Sequence, residues 1–207
     1  MNISFSSREL RDLAVAWLAL GVAFAIFFAG GGQRAIAALT SGTFGLALVV
    51  SLLTAGVGFL LHEVAHKVVA VRFGQVAEFR ADFGMLGIAI MSALVGFIFA
   101  APGAVYHRGM LTKREHGLIA LAGPVTNLLL LVAFAPLFVA GIILQSDILA
   151  LIGSRGLVIN AFLAAFNMLP FASLDGRTVK AWSTPVFAVV LALSILLTAG
   201  LLLFVGF

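Results

Sequence analysis

Long apolar runs separated by short polar joints dominate this chain. Ser6-Ser7-Arg8-Glu9 offers an N-cap serine with a glutamate three residues on, a capping-box start, and Leu13 to Gly30 then carries no charge. That run is long enough to span a bilayer as a helix. Ala23-Phe24-Ala25 imitates a signal cleavage site, but Glu9 and Asp12 spoil a positive leader, so the run is read as an uncleaved anchor. Gly30-Gly31-Gly32-Gln33-Arg34 forms the first joint, and a second run extends from about Phe44 to Val71. A polar stretch marked by Lys67, Arg72, Glu78, Arg80 and Asp82 follows, then a seventeen-residue apolar run from Met85 to Ala101.

Thr112-Lys113-Arg114-Glu115 is a second capping box. It opens a helix to about Leu144, with a kink expected at Gly123-Pro124. After Gln145-Ser146-Asp147 and the Gly153–Gly156 region, a helix of about fourteen residues is expected to end at Leu169. At 1.5 Å per residue it covers roughly 21 Å, short of a roughly 30 Å hydrocarbon core. The following segment to Asp175 is therefore expected to remain within the membrane. A last apolar run from about Pro185 to Phe207 closes the chain.

Composition agrees with this pattern. The chain is 63% hydrophobic and 10% charged, with mean hydropathy +1.22, far from the roughly 25% charge of soluble domains. An α-helical, polytopic membrane protein follows, expected to be a single domain over residues 1–207. The pI near 10.4 would suggest nucleic acid in a soluble chain. Here the twelve Lys and Arg sit in short loops and act as topology signals, so the expected surroundings are a lipid bilayer and no nucleic acid.

Those charges bear on the Met85–Ala101 run. If it does not cross, Arg8, Arg11, Lys67, Arg72, Arg80, Arg108, Lys113, Arg114, Arg177 and Lys180 share one side, against Arg34 and Arg155. If it crosses, the split becomes six against six. The positive-inside rule favours five spanning helices plus a re-entrant apolar segment, with six spans as the alternative. The basic face is then cytoplasmic, in a multi-pass protein of the cell membrane.

The candidate chemistry lies in the second run, at His62-Glu63-Val64-Ala65-His66. Ionisable groups at bilayer depth are costly and mark function by default. Residues four apart share a helix face, so His62 and His66 can aim one nitrogen each at a single ion. Glu63 is offset by roughly 100°, where a carboxylate reaches a metal's water without being a ligand. The chain has no Cys, so Zn2+ must be held by imidazole and carboxylate. A hydrolytic site needs a third protein ligand, and His107, His116, Glu78, Asp82, Asp147 and Asp175 are the candidates. His107 and His116 sit among Arg108, Lys113 and Arg114, which favours a solvated loop. Asp147 falls on the far side in the five-span topology. Asp175 falls on the pentad's side at half depth and is preferred over the reading of Asp175-Gly176 as an interfacial turn.

His62-Glu63-Val64-Ala65-His66, Gly123-Pro124-Val125-Thr126-Asn127 and Asn167-Met168-Leu169-Pro170 with Leu174-Asp175-Gly176 together resemble the site-2 protease family of intramembrane zinc metalloproteases. The signatures stand in that family's order and cover a core of about residues 44–180. Ser173 departs from the pattern, which often has proline there. The resemblance implies zinc on His62, His66 and Asp175, catalysis by Glu63, and a membrane-re-entrant β segment that would suit Met85–Ala101. It also implies an endopeptidase of regulated intramembrane proteolysis, whose partner is the transmembrane helix of a substrate membrane protein. Asn127 is a candidate for binding the substrate strand or the developing oxyanion, against a reading as interhelical glue; Asn167 is read as a helix-end cap.

Two other functions compete. A zinc or proton transporter needs polar groups in both halves of the membrane, and the outer half here has almost none. A catalytically silent membrane sensor would not need the intact Glu63.

Overall fold

The computed structural model describes residues 3–99 and 102–206. Ala101, the end of the expected re-entrant run, and Phe207, the end of the last apolar run, lie outside the described residues. Among the described residues, five helices are long and apolar enough to cross a membrane: Ser7–Phe28, Thr43–Arg72, Lys113–Ile143, Asp147–Asn167 and Thr184–Phe204. In chain order the elements are α1 (Ser7–Phe28), α2 (Gly32–Ser41), α3 (Thr43–Ser51), α4 (Val57–Arg72), β1 (Val76–Ala81), α5 (Phe83–Leu94), β2 (Gly103–Arg108), α6 (Lys113–Ile143), α7 (Asp147–Asn167), α8 (Asp175–Trp182) and α9 (Thr184–Phe204). The chain is an α-helical polytopic membrane protein, and α9 turns Leu193, Leu196, Leu203 and Phe204 outward, as a lipid-facing helix does.

The 83–99 segment does not cross. β1 and β2 pair antiparallel with Ala81 opposite Gly103, and the Asp82 N–H donates to Pro102 O at 2.9 Å. The excursion thus returns to the place where it began. Its helix α5, N-capped by the Asp82 carboxylate, has 12 residues and is about 18 Å long, too short to span. The six-span alternative is overturned. Irregular backbone at such depth must be covered by protein, and α1 covers it: Leu13, Ala16, Leu20 and Ala23 pack with Leu86, Ala89 and Ala93 in one buried cluster.

The start of α1 is more than a cap. Ser6 accepts from the Glu9 N–H at 3.1 Å, but the Glu9 carboxylate does not close a capping box. It is fully buried, paired with Lys67 of α4, and accepts the Phe79 N–H at 3.0 Å. Asp12 accepts the Ala81 N–H at 3.4 Å. Two carboxylates of α1 therefore hold the edge of β1 that β2 leaves free.

The expected fourteen-residue helix is corrected to α7, 21 residues long. Gly153 and Gly156 lie inside it rather than ahead of it. They allow close approach to α6, since a Cβ on either would collide with Phe138 or Phe134. Asp175 is therefore reached from the end of a full-length helix through the turns at 168–174. α6 opens with the complete Thr112/Glu115 capping box and runs as one helix through Pro124 and Pro136. Between α3 and α4 the helix makes one π turn, Leu52–Gly56, where Trp17 Nε1 donates to Leu52 O at 3.0 Å. An inserted residue of this kind rephases everything after it by about one position, and the pentad lies in the next two turns.

Candidate metal centre

Two antiparallel helix faces build the site. On α4, Gly58, His62 and His66 follow one another at four-residue spacing, a single stripe. On α6, Ile119, Gly123 and Asn127 do the same. His62 Nδ1 lies 2.6 Å from Asn127 Oδ1, and His66 Nδ1 lies 2.7 Å from Ile119 O. A carbonyl only accepts, so both rings donate from Nδ1 and turn Nε2 to the other side. The rings stand edge to face with centroids 4.6 Å apart.

The two Nε2 atoms converge on Asp175 Oδ2, at 3.2 Å from His62 and 3.4 Å from His66. That oxygen is buried and has no hydrogen-bond partner. Two ring nitrogens and a carboxylate oxygen turned on one buried point call for a cation among them. A tetrahedral ion with bonds of about 2.0–2.2 Å holds its ligand atoms roughly 3.3–3.5 Å apart, which matches these separations. Gly123 completes the fit, because a Cβ at this position would run into both imidazoles. The residues present therefore suit a zinc ion. His62, Glu63 and His66 are all buried and lie close enough to share one metal.

A cavity of about 220 Å³ opens on this group. Its inner wall is apolar, with Leu20, Phe24, Ala55 and Phe59; its outer wall carries Gly103, Val105, His107, His116, Ser173 and Thr178. Glu63 lines it beside the two histidines.

Asp175 is brought to the pentad by Gly176. A Cβ there would collide with Met168 O and Leu169 O, so only glycine lets α8 seat against the end of α7. The other third-ligand candidates stand elsewhere. Glu78 meets Arg80 at 2.6 Å, Asp82 caps α5, and Asp147 lies in the first turn of α7. His107 is in β2 rather than a solvated loop, its ring centroid 5.1 Å from that of His116. Burial first, and the neighbouring His116 second, push its pKa below the ordinary histidine value.

Asn127, the candidate for binding substrate, faces His62 and two helices in this structure. It is fully buried, its oxygen is taken by His62, and its nitrogen donates to Gly58 O at 3.2 Å and to Asn160 Oδ1 at 2.9 Å. No donor is left for a substrate, so Asn127 orients His62. Asn167 Nδ2 bonds Leu163 O in the last turn of α7 at 3.0 Å. Sequence reasoning missed Asn160, whose only signal was an amide inside an apolar run.

Two relatives give this geometry a context. The chain is 38% identical over 188 residues, 90% of both chains, to "Putative zinc metalloprotease MJ0611" of Methanocaldococcus jannaschii. It is 32% identical over 147 residues to "Putative zinc metalloprotease YwhC" of Bacillus subtilis, covering 62% of this chain and 65% of that one. No family model and no solved structure matches it. The cofactor of this centre is zinc, as both the donor set and the relatives' names have it. With identity running almost end to end and a His-Glu-x-x-His centre built inside its helices, the chain belongs to the zinc metalloprotease family of these two proteins.

Proposed function

We propose that this protein is an intramembrane endopeptidase of the site-2 protease type, cutting peptide bonds within transmembrane segments of other membrane proteins. The observation that carries the reading is the convergence of Asp175 with His62 and His66 inside a candidate spanning helix. His62 lies ten residues before the end of α4 at Arg72, about 15 Å along the axis. A centre at that depth meets bonds that a soluble protease never reaches.

His62, His66 and Asp175 would hold the zinc, which when bound supplies Lewis acidity towards a water and a carbonyl. Glu63 takes the proton from the attacking water and delivers it to the departing amine, so that one water is consumed and a carboxylate and an amine result. The inner cavity wall of Leu20, Phe24 and Phe59 shields the reacting groups. Water arrives from the basic, cytoplasmic side, past His107, His116 and Thr178.

The substrate helix must unwind, because its amides are internally bonded. β2 offers those amides new partners. The Phe79 N–H points away from β2 to Glu9, so Phe79↔Val105 is a non-hydrogen-bonded pair and Val105 turns its own N–H and C=O to the opposite edge. Gly103, Val105 and His107 all line the cavity, where an extended segment would add as a further strand.

The test is purified protein in proteoliposomes with a single-span substrate. Cleavage within the span that stops on zinc chelation and returns with zinc is the expected result. Zinc-dependent transport without any cleavage product would overturn the proposal in favour of a transporter.

A further inference from the structure

We infer that Asn160 of α7 is a positioning residue for the metal centre: it fixes the polarity of a buried amide chain that ends on His62. The inference rests on the metal reading of the site given above.

The chain begins at a backbone carbonyl. Asn160 Nδ2 donates to Gly156 O, one helical turn back, at 2.9 Å. That oxygen only accepts, so the amide end of Asn160 faces it and the Oδ1 end faces Asn127. Oδ1 in turn requires a donor, and Asn127 Nδ2 supplies it at 2.9 Å. With its nitrogen committed there and to Gly58 O, Asn127 presents Oδ1 to the imidazole, and His62 must carry its proton on Nδ1. Its Nε2 is thereby the nitrogen that faces Asp175 and the ion site.

Reversing any one member places two acceptors face to face in a buried site. Asn127 and Asn160 are both fully buried, where two facing acceptors are costly. Packing keeps the chain in register as well. A Cβ on Gly58 would press on the Asn160 amide, 3.2 Å from Cγ, so α4 carries no side chain where α7 must come close. Asn160 thus couples a helix that holds none of the pentad to the tautomer of one of its histidines. Outer partners of metal-bound histidines act in this way, and losing one typically costs 10–100-fold in affinity.

The experiment compares wild type with N160L, N160D and G58A in bilayers. Histidine tautomers are read by 15N solid-state NMR on metal-free protein, zinc affinity by titration, and folding by helix content and Tm. A leucine side chain cannot accept from Asn127, so N160L should mix the His62 tautomers and weaken zinc binding about tenfold. A protonated carboxyl in the same place keeps the same donor and acceptor, so N160D should retain the Nδ1–H tautomer and most of the affinity. G58A disturbs the same contact from α4 and should mix the tautomers even if N160L fails to fold. Wild-type tautomer in folded N160L or in G58A, with zinc affinity within about twofold of wild type, overturns the inference. Wild-type protein that binds no zinc overturns the metal reading instead, while the tautomer comparison still decides the role of Asn160.

Discussion

Gly123 faces His62 and His66 so closely that a methyl group on its Cα would collide with the Nε2 atom of each ring. The space that zinc needs is therefore set by a missing side chain on α6 as much as by the ligands on α4. Replacing Gly123 by Ala should bring bound zinc in purified protein close to zero. Overpacking of this kind costs about 1–3 kcal/mol, so helix content should survive. A G123A protein with full zinc occupancy would contradict the packing described for α4 and α6.

Asp175→Ala removes the carboxylate on which both Nε2 atoms converge. Zinc content should fall sharply, since two ligands from one helix remain, and Asp175→Asn should do the same without changing the volume. Metal analysis of the two variants beside wild type decides this; undiminished zinc in both would assign the third ligand elsewhere.

Glu63→Gln separates holding the metal from moving the proton. Zinc content should match wild type, while peptide cleavage falls by about 10²–10⁴-fold, the usual contribution of a positioned acid–base group. Residual turnover near the wild-type rate would take the proton-transfer role from Glu63.

Lys67 and Glu9 form a buried pair, with side chains only 3% and 1% exposed. Removing one partner strands a charge, and such losses cost about 3–5 kcal/mol. Lys67→Met should therefore lower Tm strongly, and the double variant Lys67→Met/Glu9→Leu should recover part of the loss. A double variant worse than the sum of the singles would show that Glu9 matters mainly through the Phe79 N–H.

His107 gives the protein a pH response. Its folded-state pKa lies below the ordinary 6.5 because of burial and the nearby His116. The unfolded chain therefore binds a proton at higher pH than the folded one, and stability is lost as pH falls below 6.5. His107→Asn should flatten the dependence of Tm on pH between about pH 5 and 7; an unchanged slope would place its origin in other groups.

Much of this protein is legible from sequence because a bilayer restricts the choices. Spanning runs declare themselves by length, which is why α1, the Thr43–Arg72 helix, α6 and the Thr184–Phe204 helix stand where apolarity puts them. The pentad declares itself by spacing. Asp175 was placed beside it partly for a wrong reason. Glycines read as the start of a short helix are in fact contact points between α6 and α7, and a glycine's meaning depends on the neighbour it touches. Asn127 is ambiguous from sequence for the same cause, since an amide in an apolar run looks alike whether it meets substrate or another helix. From sequence Glu9 reads as a capping residue, and Glu9 and Asp12 as flaws in a leader, because the strand they hold comes some seventy positions later in the chain.

Lys67 directly follows His66, and its ammonium is held from the chain's other end as well: it donates to Ser4 O at 2.6 Å and lies over the Phe5 ring at 4.0 Å. The segment just ahead of α1 is thus moored to the residue beside an imidazole of the centre. A load placed on the segment ahead of α1 is therefore carried to the residue next to His66, and so to the geometry of the centre.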